Sequence, residues 1–301
     1  MEFSIIIATY ERVRSLERLL ASISDQFSQS DVEHEIVVAN NSRDHAVEKR
    51  IDEVIGRCQA NFGRRLQAVR EPSPGKCKAQ NKAIGVAKGK ILAFFDDDVA
   101  VSSKWLTVAR DFFRDGPFDA MQGPILIPPE MQNDQEFLRA HYKFRTISFV
   151  RYRAKTTEIK TLTGGNMAIR SEVFSKIGLF NEQLGPGRSG ISEDVEFAQR
   201  LIKSGGRIGY NPEAAVYHEV DWSRLTEEFF RQRHEQQGRS RLIYKNQSLA
   251  TILPNLMRTL WSFGWYSLTG NERKKYRSKG RYFHYRAMLE EKTKRITGSQ
   301  L

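Results

Sequence analysis

The chain has 301 residues, 40% of them hydrophobic, which suffices for one large core with an appendage and excludes a disordered chain. Its 48 Lys and Arg against 36 Asp and Glu leave a net charge of +12, which calls for an anionic partner. Two cysteines, Cys58 and Cys77, make neither a disulfide framework nor a zinc motif, and no apolar run reaches the length that spans a bilayer.

Phe3 to Ala8 (FSIIIA) is an apolar run of strand length, as a strand covered on both faces would be, and Thr9, Tyr10, Glu11 and Arg12 follow as a loop. Leu16, Leu19, Leu20 and Ile23 then recur at helical spacing, so one helix face packs on a sheet. Glu35 to Ala39 predicts a second strand, and Val47, Ile51, Val54, Ile55 and Cys58 predict a second helix. A third strand over Leu66 to Val69 leads through Pro72 and Pro74 to a helix with Ala79, Ala83 and Ala87 on one side.

Ile91 to Val99 (ILAFFDDDV) is an apolar run that stops at Asp96, Asp97 and Asp98. Three adjacent carboxylates repel one another unless a cation lies between them, so the strand end is a candidate divalent-metal site beside a phosphate. A solvated acidic turn or a helix cap is the plainer reading of the same residues. A helix with Trp105, Val108, Ala109, Phe112 and Phe113 on one face follows, and then a strand from Ala120 to Ile125.

Strand and helix alternating four times predict a parallel sheet with helices on both faces. Right-handed crossovers put the C-terminal strand ends on one rim, which collects Thr9, Tyr10, Asn40, Asn41, Glu71 and the three aspartates. The first 125 residues thus read as a nucleotide-binding half. The glycine-rich dinucleotide fingerprint and the P-loop are both missing, which argues against an NAD enzyme or a P-loop NTPase.

Gly164, Gly165 and Asn166 precede a strand over Met167 to Ile169; paired glycines suit close approach of a ligand or an ordinary turn. Asn181 to Gly190 (NEQLGPGRSG) predicts a mobile loop. Ser192, Glu193 and Asp194 open a helix that Gly205 and Gly206 end, and acidic residues there also suit the helix dipole. Extended segments around Pro212 end at His218.

SIIIATYER, EIVVANNSRD, FFDDDV, GGNMAIR, SEDVEFAQRL and a Pro-x-Ala-x-Val-x-His stretch, in this order over residues 3 to 220, resemble family 2 glycosyltransferases of the GT-A fold. The resemblance implies an α/β fold with a mostly parallel, Rossmann-like central sheet, a domain over residues 1–220 whose second half (126–220) carries acceptor and catalytic residues, and a helical basic extension over 221–301. It implies an inverting transfer of a sugar from a nucleotide diphosphate to a hydroxyl of a saccharide or glycolipid, assisted by Mn²⁺ or Mg²⁺. Asp194 would be the general base and Glu193 its orienting partner. Asp98, within a D-x-D element, and His218 would hold the metal. Thr9, Tyr10, Arg12, Asn40, Asp96, Asp97, Gly164, Gly165 and Asn166 would line the nucleotide-sugar site. Where the family often has Asp after the second strand, this chain has Ala39 followed by Asn40 and Asn41; an amide can still pair with a base edge, and a UDP-linked donor remains the family's usual one.

Beyond residue 220, Gln236 and Arg239 match part of the family's Q-x-x-R-W acceptor motif, with Ser240 in place of Trp. Ile252 to Leu268 is rich in Leu and aromatic residues, and residues 271 to 301 hold ten Lys and Arg and three Glu, a net of +7. Such a segment suits the surface of an anionic membrane, and equally a helix packed on the catalytic domain or a dimer partner. An N-terminus that runs straight into a strand, with so few cysteines, predicts a cytoplasmic protein, peripheral at the inner face of a membrane. No nucleic-acid-binding motif is recognised. A nucleotidyltransferase and a catalytically weak nucleotide-sugar-binding relative are the competing readings.

Overall fold

The structure is a computed structural model that describes residues 1–27, 30–153 and 156–298. Its strands are β1 (Phe3–Thr9), β2 (His34–Asn40), β3 (Leu66–Arg70), β4 (Ile91–Asp96), β5 (Val99–Val101), β6 (Ala120–Gln122), β7 (Ile125–Leu126), β8 (Glu158–Ile159), β9 (Asn166–Arg170), β10 (Ile208–Tyr210) and β11 (Val216–His218). Its helices are α1 (Val13–Phe27), α2 (His45–Phe62), α3 (Lys76–Val86), α4 (Trp105–Asp115), α5 (Gln135–Phe144), α6 (Ser171–Ile177), α7 (Glu193–Lys203), α8 (Glu227–Tyr244), α9 (Leu249–Leu268) and α10 (Glu272–Thr297). The chain divides into a sheet unit (Met1–Pro128, Ser148–Glu182, Glu193–Glu219) and a helical unit (Pro129–Ile147, Gln183–Ser192, Val220–Leu301).

In the sheet unit, eight of the described strands pair in the order β3-β2-β1-β4-β9-β6-β10-β8, and β5-β11-β7 form a small second sheet. β1 and β2 have no charged residue facing water, since Phe3 to Ile7 and Ile36 to Ala39 are wholly buried between helical layers. On one side, the Leu16, Leu19, Leu20 and Ile23 stripe of α1 packs on this surface with Ile51 and Val54 of α2. Trp105 of α4 lies edge-on to Phe95, with ring centroids 4.9 Å apart, and fills the same layer. Phe94, Phe174, Phe180 and Phe197 occupy the opposite layer.

The expectation that the strands run parallel holds for β3, β2, β1 and β4 and fails at β9, which runs antiparallel to both β4 and β6. The reason lies in the crossover: β9 starts at the rim where β4 ends, with Asn166 opposite Phe95, so the Gly164-Gly165 turn arrives beside the aspartates from the reverse direction. The expected single strand over Ala120 to Ile125 also breaks. Gly123 and Pro124 divide it into β6 and β7 in different sheets. Only glycine fits at the break, because a Cβ on Gly123 would lie 2.0 Å from the Ala214 carbonyl oxygen.

In the helical unit, α10 packs along α8 and α9. Leu242, Ile252 and Met288 form its buried centre, and Phe144 of α5 meets Phe230 and Tyr276 at 6.0 and 5.7 Å between ring centroids. Glu227 accepts from Lys279 Nζ at 2.7 Å and also pairs with the Tyr276 hydroxyl, which fixes α8 against α10.

Candidate active site

β4 ends at Asp96, and the turn into β5 carries Asp97 and Asp98. The turn separates the three carboxylates onto different partners. Asp97 and Asp98 face Arg12: Nη1 donates to Asp97 Oδ1 at 3.2 Å and to Asp98 Oδ2 at 2.5 Å. Arg12 is delivered by Glu11, whose φ of 59° turns the chain sharply after β1. The Thr9 hydroxyl donates to Asp97 Oδ2 at 2.8 Å. Burial still pushes the Asp97 carboxyl up to about 6, against the pull of Arg12 and with the help of Asp98.

His218 reaches Asp98 through the small sheet, since β11 pairs antiparallel with β5 and sets His218 opposite Val99. Its Nδ1 donates to the Glu219 carbonyl at 2.7 Å, and its Nε2 lies 3.5 Å from Asp98 Oδ1. The described residues contain no group of three or more His, Cys, Asp or Glu arranged for a metal ion. Mg²⁺ is ordinarily held by one or two carboxylates plus substrate phosphates, and an imidazole is a ligand of transition ions. Asp98 and His218, side by side at this rim, are a carboxylate and an imidazole, donor types that divalent ions take.

Asp96 turns the other way. Lys76, the first residue of α3, donates from Nζ to Asp96 Oδ1 at 2.6 Å and lies 3.3 Å from Glu193 Oε1. Burial alone would lower the Lys76 pKa, but Asp96 and Glu193 outweigh it and hold the ammonium charged, well above its ordinary range. Gly75, with φ at 138°, makes the bend that starts α3 here. Asn41 braces that bend, donating to the carbonyls of Glu71 and Ser73 and accepting from Gly75 N–H.

Asp194 stands in the first turn of α7 and accepts from the N–H of Gly164 at 2.9 Å and of Val195 at 2.7 Å. Burial pushes its carboxyl up to about 6, with Glu193 adding to the shift. Ser192, immediately before α7, has a φ of 80°, an uncommon conformation for serine. Gly164 and Gly165 leave room against this group. A Cβ on Gly164 would come 3.2 Å from Lys76 Nζ, and one on Gly165 would come 3.1 Å from Asp96 Oδ2.

The structure thus gathers Thr9, Arg12, Asp97, Asp98 and His218 in one cluster and Asp96, Gly164, Gly165, Glu193 and Asp194 in another. Tyr10 lies on the rim, 47% exposed. Two expected ligand contacts are corrected. The Asn166 amide is turned into the core, accepting from Trp105 Nε1 and donating to the Pro124 and Ala214 carbonyls, so it holds the rim together and cannot line the gap. The Asn40 amide is likewise turned under its own loop, toward the Glu48 carbonyl and Ser42 N–H, and is 2% exposed. Lys76 is the member of the Asp96 cluster that the sequence alone did not single out. Its signal was a lysine directly after Pro-Gly at the start of a helix, on the rim that collects the aspartates.

In the helical unit, Gln236 and Arg239 of α8 line a cavity of about 620 Å³ with Gln183, Arg188, Ser189 and Arg295. Ser240, where the motif has Trp, donates to Ser189 Oγ at 2.8 Å and clips the glycine-rich loop to α8.

The fold is that of GT-A glycosyltransferases. A mannosyltransferase from Pyrobaculum calidifontis, solved in complex with GDP-Man and Mn²⁺, superposes with a TM-score of 0.62 at 16% identity, covering 99% of this chain and 88% of that one. Residues 1–349 of Staphylococcus aureus TarS in complex with UDP-GlcNAc give 0.54 at 16% identity, covering 97% and 92%. The chain belongs to glycosyl transferase family 2, whose sequence model matches residues 4–178. It is 29% identical over 171 residues to the succinoglycan biosynthesis protein ExoM of Rhizobium meliloti strain 1021, covering 54% of this chain and 50% of that protein. It is 25% identical over 150 residues to the pre-mycofactocin glycosyltransferase of Mycobacterium tuberculosis, covering 49% and 30%. The matched segments thus span half or less of these curated relatives.

Proposed function

We propose that this chain transfers a sugar from a nucleotide-diphosphate donor, UDP-linked in the first instance, to a hydroxyl of a saccharide or glycolipid, with inversion at the anomeric carbon. The observation that carries this reading is Asp194: a buried carboxylate with its pKa raised to about 6, its oxygens fixed by two backbone N–H groups, beside a lysine-bridged pair of acids. A base near neutral pKa suits proton removal from an alcohol in the transition state.

In this reading the acceptor oxygen gives its proton to Asp194 and bonds to the anomeric carbon. The bond from that carbon to the diphosphate oxygen breaks, and its electron pair leaves with the diphosphate. Lys76 and Glu193 keep Asp194 and Asp96 in register, and Arg12 holds the Asp97-Asp98 turn. Asp98 and His218 would hold Mn²⁺ or Mg²⁺, which when bound supplies positive charge for the diphosphate. The relatives' solved complexes, one with GDP-Man and Mn²⁺ and one with UDP-GlcNAc, support a nucleotide-sugar donor. We place the protein in the cytoplasm, at the inner face of a membrane where a glycolipid acceptor would be presented.

The test is hydrolysis of a panel of UDP- and GDP-linked sugars with and without Mn²⁺, repeated on Asp194→Asn. Turnover of one donor that collapses in the variant is the expected result. Absence of turnover and of nucleotide binding across the panel, or full activity in Asp194→Asn, would overturn the reading.

A further inference from the structure

Six large hydrophobic side chains left exposed belong to one helix, α9: Leu253, Met257, Leu260, Trp261, Trp265 and Leu268. At about 100° per residue they fall within an arc of roughly 140°. The buried residues of the helix, Ile252 and Thr259, lie on the other side. Trp261 is 71% exposed and Leu268 86%. The two indoles stack on each other, with centroids 6.1 Å apart and planes 7° from parallel, and so present one flat aromatic surface outward. Apolar surface gathered in one stripe and left in water marks an interaction face.

The charges around the stripe identify what it meets. α9 contains no acidic residue, and its single charge, Arg258, falls at the margin of the arc. Lys274 and Lys275 of α10 lie off the stripe, 5.3 Å from the Tyr266 ring and 6.0 Å from the Phe263 ring, both outside the arc, and Arg273 sits over the Tyr142 ring at 5.7 Å. The chain as a whole carries a net charge of +12. A second copy of this chain would bring the same net charge of +12 against this one, which like-charge repulsion opposes. No helix among the described residues is long and apolar enough to cross a membrane. An apolar, Trp-bearing stripe on a helix without acids, in a chain of net charge +12, fits an anionic lipid surface, where indoles settle at headgroup depth and cations meet phosphates.

We propose that α9 lies flat on an anionic membrane, with Leu253, Met257, Trp261, Trp265 and Leu268 at the headgroup boundary and Arg258 over lipid phosphates. This deepens the proposed function by naming the docking face, and it rests on that reading only for its purpose, the presentation of a lipid-linked acceptor.

The test is flotation of the full chain with phosphatidylcholine vesicles, with and without phosphatidylglycerol. Binding is expected only with phosphatidylglycerol at about 0.05 M salt and should be lost at about 0.5 M, where screening shortens the reach of surface charge. Trp261→Ser with Trp265→Ser should cut partitioning about tenfold or more at an unchanged melting temperature, since both rings are exposed. Arg258→Glu should act in the same direction. No flotation of the parent at low salt, equal flotation of the double Trp variant, or a dimer that the same variant dissociates would overturn the proposal. Donor hydrolysis on the same samples separates the two readings: intact hydrolysis without flotation defeats the docking face alone, and flotation without hydrolysis of any donor defeats the catalytic reading alone.

Discussion

Asp96 and its two neighbours are consecutive in the chain yet serve two differently built clusters. Around Asp97 and Asp98, one arginine, one threonine hydroxyl and one histidine meet two carboxylates. Around Asp96, one lysine meets three carboxylates, those of Asp96, Glu193 and Asp194, two of them by direct ion pairs. The second cluster carries the larger uncompensated negative charge. Burial raises one carboxyl in each cluster to about 6, Asp97 in the first and Asp194 in the second, and in the second Glu193 adds to the shift. Adjacent carboxylates are thus separated by the cation each is given, an arginine for Asp97 and Asp98 and a lysine for Asp96 and Glu193.

The sharpest way to break this comparison is to remove the proton site. In Asp194→Asn, turnover should fall about 10²- to 10⁴-fold with donor affinity within a few-fold, measured by steady-state kinetics and calorimetry. In the parent, activity should rise with pH through about 6 as Asp194 ionises. The stability effect has the opposite sign. A carboxyl raised from its ordinary value of about 3.9 contributes stability that is fully present below that value and lost as pH rises through about 6. Asp194→Asn should therefore be more stable than the parent at neutral pH, by about 1–3 kcal/mol, and no more stable at about pH 4. Urea titrations at the two pH values check both signs.

Removing the lysine should have the next largest effect. Lys76→Met leaves the carboxylates of Asp96 and Glu193 without their shared cation, and should cost about 3 kcal/mol of stability in urea denaturation. Arg12→Met should cost less, because the Thr9 hydroxyl still holds Asp97 and the guanidinium is itself partly exposed.

The metal end is tested by His218→Ala. If Asp98 and His218 share an ion, the gain in nucleotide diphosphate affinity on adding Mn²⁺ should shrink at least about 10-fold, while affinity without Mn²⁺ stays near that of the parent. An undiminished Mn²⁺ effect by calorimetry would separate His218 from the metal.

The smallest change sharpens the space between the clusters. Gly165→Ala brings a methyl group 3.1 Å from Asp96 Oδ2. A flexible carboxylate can give by a few tenths of an ångström, so turnover should fall several-fold with the melting temperature nearly unchanged. Gly164→Ala, against Lys76 Nζ at 3.2 Å, should behave alike.

The sequence by itself determined the layers. Runs such as FSIIIA and ILAFF are apolar on every residue, so they become strands covered on both faces, and stripes such as Leu16, Leu19, Leu20 and Ile23 become helices on those faces. It also marked Asp96 to Asp98, Gly164, Gly165, Glu193, Asp194 and His218, because runs of acids, paired glycines and helix starts are local features. Tertiary structure alone decided their company. β9 runs against β4, and that reversal carries Gly164 to Asp194 across 30 residues. β11 pairs with β5, which no local periodicity announces, and brings His218 to Asp98. Lys76 gained its role, and the amides of Asn40 and Asn166 turned inward, for the same reason: a side chain's partners are set by which strands pair and in which direction, a long-range choice that the spacing of residues along one strand or helix does not encode.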